Sequence, residues 1–139
     1  MKKNLCLSML LSCSSVWAAD LTGEWRVVDD KSGTVLAQVK VQKLKDQTYE
    51  GRVVQLFNMG EAHPDSKKFQ GVVLLSNLKE HQEKEREFFD GIVFDPIERQ
   101  VHRNVTAKLN NRANILMLRG KSDSSPVSRR ISWVKIETP

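Results

Sequence analysis

The stretch TVLAQVKVQ, which spans Thr34 to Gln42, alternates between apolar and polar residues. Val35, Ala37, Val39 and Val41 fall on one side of an extended chain, and the positions between them from residue 38 onward are glutamine or lysine. A period of two residues is typical of a β-strand that buries one face and leaves the other in water. The stretch therefore predicts a half-buried strand.

Seven further segments show strand patterns, and polar turns separate them. They are a first strand from Gly23, then QTYEGRVVQLF (47–57), GVVLLSNL (71–78), EFFDGIVFD (87–95), RQVHRNVTAKL (99–109), ILMLRG (115–120) and RRISWVKIE (129–137). Eight antiparallel strands with one apolar face close naturally into an up-and-down barrel, which leaves no exposed sheet edge. The sequence therefore predicts an all-β fold, an eight-stranded antiparallel up-and-down barrel.

Three places depart from simple alternation. The segment NMGEAHPDSKKFQ (58–70) is long for a hairpin and is predicted to be a loop with one short helical turn. The charged run KEHQEKERE (79–87) fits a surface helix, but strand patterns flank it, so a solvated hairpin tip is the preferred interpretation. Arg103 interrupts the apolar side of its strand, which indicates a bulge or the barrel mouth, and His102 is expected to point outward.

The first 18 residues have the pattern of a cleaved signal peptide. A basic MKK precedes the apolar NLCLSMLLSC, which is too short to cross a bilayer, and Val16 and Ala18 are small residues at the cleavage position. We expect cleavage after Ala18, which leaves residues 19–139 as one β-barrel domain, without a transmembrane span, in the periplasm or secreted. The alternative is a lipoprotein anchored through Cys13, because LLSC (10–13) resembles a lipoprotein processing site.

Composition and motifs argue against several function classes. Loss of the leader leaves 20 basic and 17 acidic residues, a net charge of about +3, and removes both cysteines. Such a modest charge does not favour nucleic acid as a partner, and a chain without cysteine forms neither a disulfide nor a thiolate metal site. No nucleophile motif, phosphate loop or zinc spacing is present, so we expect no catalytic residues, no metal, no cofactor and no enzymatic activity.

An ordered set of short motifs resembles a known family. GEW (23–25), YEGRVV (49–54), DGIVFDP (90–96), LRG (118–120) and SRRISW (128–133) occur in the order and spacing of small exported bacterial proteins classed as domain of unknown function 2147. The resemblance covers residues 21–136 and implies a lipocalin-like barrel without an established activity.

The resemblance also implies a role for the first tryptophan. In lipocalin-like barrels a Gly-x-Trp motif begins the first strand, the Trp closes the barrel floor, and a basic side chain of the last strand lies across its ring. By this analogy Gly23 and Trp25 form the floor, and the basic candidates are Arg129 and Lys135, on either side of Trp133.

Two functions remain open. In the first, the barrel is hollow and a monomer binds a small apolar ligand or lipid. The expected lining is apolar with one polar tyrosine, and its key members are Tyr49, Val53, Phe88, Ile92, Phe94 and Met117. In the second, the barrel is filled, and the protein acts in the envelope through a basic outer surface that meets anionic lipid or an acidic partner. The residues of that surface are Lys67, Lys68, Arg99, Arg103, Arg129 and Arg130.

Overall fold

Antiparallel strands account for most of the computed structural model, which describes residues 20–122 and 129–137. The elements in chain order are β1 (Gly23–Asp29), β2 (Val35–Lys43), β3 (Tyr49–Asn58), β4 (Glu61–Ala62), α1 (Ser66–Phe69), β5 (Val73–Glu80), β6 (Glu87–Asp95), β7 (Gln100–Leu109), β8 (Ile115–Ser122) and β9 (Arg129–Lys135). The predicted signal peptide, 1–18, and residues 123–128 lie outside the described residues.

The sheet closes on itself. Each long strand pairs with the next along the chain, and β1 pairs on one side with β2 and on the other with β9. Eight strands therefore form the barrel, while β4 pairs only with the end of β3. The predicted all-β, eight-stranded antiparallel up-and-down barrel is confirmed. In the described part of the chain, no helix has the length and apolar character needed to cross a membrane.

The long segment after β3 holds one element that the sequence did not predict. Asn58 pairs with Glu61, and the two residues between them, Met59 and Gly60, have φ angles of 52° and 87°. Positive φ at both central positions is the geometry of a type I′ hairpin turn. This turn creates the two-residue strand β4, and the expected helical turn follows as α1.

The charged run 79–87 forms a hairpin, as preferred from the sequence. β5 ends at Glu80, β6 begins at Glu87, and the backbone N–H of His81 donates to the Glu87 carbonyl at 2.9 Å. The paired strands β5 and β6 hold the two ends of this turn together. Its charged side chains therefore lie on the outer surface, at the tip of the hairpin.

Bulges interrupt three neighbouring strands. Asn77 on β5, Asp90 on β6 and Asn104 on β7 have φ angles of 59°, 64° and 54°. Asn and Asp tolerate this left-handed conformation better than most residues. Register shifts occur around Asp90 and Asn104. A bulge inserts one residue, so the alternation of inward and outward side chains changes phase there.

The two ends of the barrel differ. The connections that follow β1, β3 and β6 lie at one end, here called the open end. Residues 20–22, the connections that follow β2, β5 and β7, and the end of β9 lie at the opposite end, here called the closed end. Large apolar side chains fill the interior towards the closed end, and each of the following is less than 2% exposed: Leu21, Trp25, Tyr49, Leu78, Phe88, Leu109 and Leu116.

Trp25 lies at the bottom of this packed half. Its side chain is fully buried, and its Nε1–H donates a hydrogen bond of 2.8 Å to the carbonyl of Leu21. Lys135 places its Nζ 5.6 Å from the centre of the Trp25 ring. Of the two basic candidates, Lys135 is thus the one in contact with the indole, and the side chain of Arg129 lies outside the described part of the structure.

Gly23 permits this arrangement because of its backbone conformation. Its φ angle is 136°, a region that L-residues rarely adopt. A Cβ added here would stand 3.2 Å from Cε of Lys135. The glycine therefore leaves space for the lysine side chain to cross the start of β1 towards Trp25.

Candidate functional site

A cavity of about 310 Å³ occupies the half of the barrel near the open end. All eight barrel strands contribute to its wall or rim, and the connection between β6 and β7 reaches over its mouth. Ligand cavities in proteins have volumes from about 300 Å³ upward. The barrel is therefore hollow at one end and packed at the other.

Trp133 forms the floor of this cavity. It is 1% exposed, lies on β9, and pairs across the sheet with Val27 and Leu116. Its ring crosses the interior towards β3, where Cη2 lies 3.4 Å from the position that a Cβ on Gly51 would occupy. The indole thus separates the cavity from the packed half of the barrel.

The cavity wall above Trp133 is mainly aliphatic. Its apolar members are Val27, Leu36, Ala37, Leu56, Leu74, Val93, Val105, Leu118 and Ile131. Gly120 on β8 lets Val105 pack directly against the backbone, because a Cβ there would stand 2.8 Å from Cγ2 of Val105. This wall favours an apolar group.

Polar side chains gather at the rim. Asn58, His63, Asp95, Glu98 and His102 all line the upper part of the cavity. The backbone N–H of Asp65 donates to Nδ1 of His63 at 3.0 Å, so the neutral imidazole carries its proton on Nε2. The rim therefore offers hydrogen-bond donors and acceptors above an apolar pocket.

Asp95 shapes the rim through its own turn. Its Oδ1 accepts the backbone N–H groups of Ile97 and Glu98, at 2.9 and 3.1 Å. This local bonding is the role expected of an Asp that ends a strand before a proline. These hydrogen bonds fix the connection between β6 and β7. In that connection Pro96 is buried, and Ile97 lies half exposed at the mouth of the cavity.

Of the six predicted lining residues, only Phe94 lines the cavity. Tyr49, Val53 and Phe88 are buried, at most 2% exposed, but they do not contact the cavity. Tyr49 and Phe88 pack edge to face, with ring centres 5.9 Å apart. Burial raises the pKa of Tyr49 to about 12, and a hydrogen bond with the Leu21 backbone offsets part of that rise.

The structure corrects two of the expected lining residues. Met117 is 38% exposed on the outer face, because Leu116 and Leu118 are the β8 residues that point inward. Ile92 is only partly buried and pairs with Ser76, whereas its neighbour Val93 packs against the core. The bulge at Asp90 shifts the alternation of β6, so Gly91 and Val93 face the interior in place of Ile92.

The same cause reverses the expected orientation of His102. Sequence alternation placed it outward, but the bulge at Asn104 turns it to the cavity rim. The sequence carried a partial signal, because Arg103 on the apolar side already indicated an irregularity. For β8 the signal was Arg119, which shares the face of Met117 and, as a charged residue, marks that face as the outer one.

The residues of the alternative basic surface lie near the open end. Lys67 and Lys68 are exposed on α1, and Arg99 and Arg103 are exposed on either side of the start of β7. Arg130 is held by Asp30, with Nε 3.0 Å from Oδ2.

Asp30 also accepts a hydrogen bond of 2.6 Å from the Ser132 hydroxyl. Asp29 accepts the backbone N–H of Lys31 and the hydroxyl of Ser32, at 3.1 and 3.2 Å. The acidic pair 29–30 thus stabilises the turn after β1 and the seam between β1 and β9. Among the described residues, no group of three or more His, Cys, Asp or Glu is arranged to hold a metal ion.

Comparison with known proteins gives one result at the level of family. No curated protein and no solved structure matched the chain. One family model matches residues 23–135, from the glycine before Trp25 to the lysine over its ring, and therefore spans the whole barrel. The chain belongs to this family, which is described as "uncharacterized protein conserved in bacteria (DUF2147)".

Proposed function

We propose that this protein binds a small amphipathic molecule in the cavity at the open end, with the apolar part of the ligand inside and its polar end at the rim. The observation that carries the proposal is the cavity of about 310 Å³ itself, which ends on Trp133 and has its charged, histidine and amide side chains near its mouth. An eight-stranded barrel is about the size that holds one small ligand. Binding, not catalysis, is the proposed activity.

The test uses a fluorescent fatty acid as the probe and unlabelled fatty acid as the competitor. The wild-type protein should bind the probe saturably at micromolar concentration. Ala37→Phe should lower the affinity at least tenfold, because Ala37 lines the cavity and a phenyl ring would occupy it. Met117→Phe is the matched control, since it adds the same ring on the outer face.

Two results would contradict this proposal. The first is the absence of saturable probe binding by the wild type, which would favour a role for the basic surface instead. The second is equal loss of binding in Ala37→Phe and Met117→Phe, which would indicate a site outside the barrel. Circular dichroism of both variants controls for folding.

Indole fluorescence gives an independent readout of the same site. The chain has three tryptophans, and the structure describes two of them, Trp25 and Trp133. Of these two, Trp133 lines the cavity and Trp25 does not. Trp17 leaves with the proposed signal peptide, so single variants of the mature protein suffice. In Trp25→Phe, ligand should change the emission of Trp133. In Trp133→Phe, the emission of Trp25 should stay constant, because packed side chains separate it from the cavity.

We also propose that the protein is exported as a soluble monomer after cleavage behind Ala18. The basic start, the short apolar segment and the small residues at 16 and 18 support this. Intact mass spectrometry of protein from the cell envelope tests it. A diacylglyceryl group on an N-terminal Cys13 would contradict it and make the protein a lipoprotein.

A further inference from the structure

We propose that Trp133 fixes the length of the apolar group that the cavity accepts, and that the preferred ligand carries a straight apolar chain of about eight carbons. The inference rests on the proposed binding function, which it makes more specific. It concerns one residue and one measurable property of the ligand.

Trp133 is a fixed floor of the cavity. Its ring starts on β9 and reaches the wall near Gly51 on β3, which is three strands away around the barrel. A Cβ on Gly51 would lie 3.4 Å from both the Trp133 ring and Cβ of Leu75, and 3.5 Å from Cγ2 of Val41. The indole therefore spans the interior and rests against the wall that β2, β3 and β5 form beside Gly51.

Packed side chains fill the barrel beneath this floor. Tyr49, Leu78 and Phe88 are at most 1% exposed, and none of them lines the cavity. A longer chain would have to displace side chains that are packed at the density of a protein interior. The excess length would instead protrude from the mouth, where it gains little burial.

The depth of the cavity above Trp133 determines the length of the chain that it can hold. Leu116 pairs with Trp133 at the floor, and Gly120, four residues further along β8, lines the upper wall. Four residues of strand rise about 13 Å, and the tilt of barrel strands reduces this to about 10 Å along the axis. A straight alkyl chain advances about 1.25 Å per carbon, from a bond length of about 1.5 Å and a bond angle of about 111°, so about eight carbons fit.

The experiment measures dissociation constants by calorimetry for straight-chain carboxylates and matching primary alcohols of increasing length, from shorter to longer than the cavity. For wild type, the affinity should rise about fourfold per added carbon until the chain reaches about eight carbons. Beyond that break, each carbon should change the affinity less than about twofold, because it stays outside the apolar wall.

Variants identify the residue responsible. Trp133→Leu should move the break to chains at least about two carbons longer, because a shorter side chain opens the floor. Trp25→Leu is the matched control, since it makes the same substitution in the other buried tryptophan, at the closed end. Its break should stay at the wild-type length.

If Trp133→Leu does not fold, Trp133→Phe gives a milder form of the same test. Its smaller ring should also open the floor, so the break should again move to longer chains.

The outcomes separate the two proposals. If no carboxylate or alcohol binds the wild type saturably, the proposed function fails, and this inference fails with it. If the ligands bind but affinity keeps rising fourfold per carbon far beyond eight, only the inference on Trp133 is overturned. It is also overturned if the folded Trp133→Leu and Trp25→Leu variants show the same break.

Discussion

Replacement of Trp25 by alanine should destabilise the barrel strongly. The side chain is fully buried, and truncation of a buried Trp typically costs about 3–5 kcal/mol. The mutation also leaves the Leu21 carbonyl without its 2.8 Å hydrogen bond and removes the ring beneath Lys135. Because these terms overlap, we expect a decrease of about 4 kcal/mol in the free energy of unfolding.

Thermal unfolding followed by circular dichroism measures this effect. For a domain of this size, 1 kcal/mol corresponds to about 4 °C, so Trp25→Ala should lower Tm by about 15 °C. Met117→Ala is the control, since Met117 lies on the outer face and its loss should change stability by less than about 0.5 kcal/mol. If Trp25→Ala melts within two or three degrees of wild type, Trp25 does not close the barrel, and the argument from its burial is refuted.

Three further predictions test other parts of the fold. Because the pKa of Tyr49 is raised to about 12 in the folded state, the only tyrosine of the chain should ionise near pH 12 by ultraviolet absorbance, against about 10 after unfolding in urea. Its burial therefore contributes stability that is complete below pH 10 and is lost as the pH rises from 10 to 12; a folded protein that ionises at 10 would contradict this. Gly91→Ala should lower the free energy of unfolding by about 1–3 kcal/mol, because the new Cβ would stand 2.9 Å from Leu78 Cδ1 inside the barrel. An unchanged midpoint in denaturant unfolding would argue against this contact. Asp30→Ala should lower the free energy of unfolding by less than about 1 kcal/mol, because the ion pair of Asp30 with Arg130 lies at the surface. This loss of stability should shrink in 1 M salt, and a loss that does not depend on salt would mean that the ion pair is not its cause.

Much of the fold could be predicted from the sequence because most strands alternate cleanly. The positions of Ala37, Val39, Val41 and Ala107 inside the barrel follow directly from alternation. Closure also followed, since eight apolar-faced strands leave edges unless the first meets the last. The two-residue strand β4 could not be anticipated, because Met59 at a positive φ is a poor match to the residues that favour a type I′ turn.

The cavity was harder to locate than the barrel. Alternation identifies inward residues but does not tell how far along the axis the interior is filled. That depends on one long-range contact, in which the Trp133 ring reaches the bare backbone of Gly51. No local pattern links positions 51 and 133, so the division into a packed and a hollow half becomes visible only in three dimensions.

The rim residues were hidden for a different reason. Asn77, Asp90 and Asn104 each have a positive φ at an irregularity of their strand, and on β7 this irregularity reverses the alternation towards the open end. Alternation therefore describes the closed half of β7 correctly and the open half wrongly, which is why His102 was expected outside. A single inserted residue in a strand is enough to exchange a surface residue for a binding-site residue.

The pairing of β1 with β9 also determines how the protein can be handled. The backbone N–H of Ile136 donates to the Glu24 carbonyl at 2.9 Å, so the chain enters and leaves the barrel side by side at the closed end. A tag or biosensor linkage attached before residue 20 or after residue 137 would therefore orient the mouth towards the solution. The same adjacency favours a circular permutant, in which a short linker joins these two points and the new termini lie at the exposed Met59–Gly60 turn. Such a permutant would keep every ladder of the eight-stranded barrel and would free the segment beside the mouth.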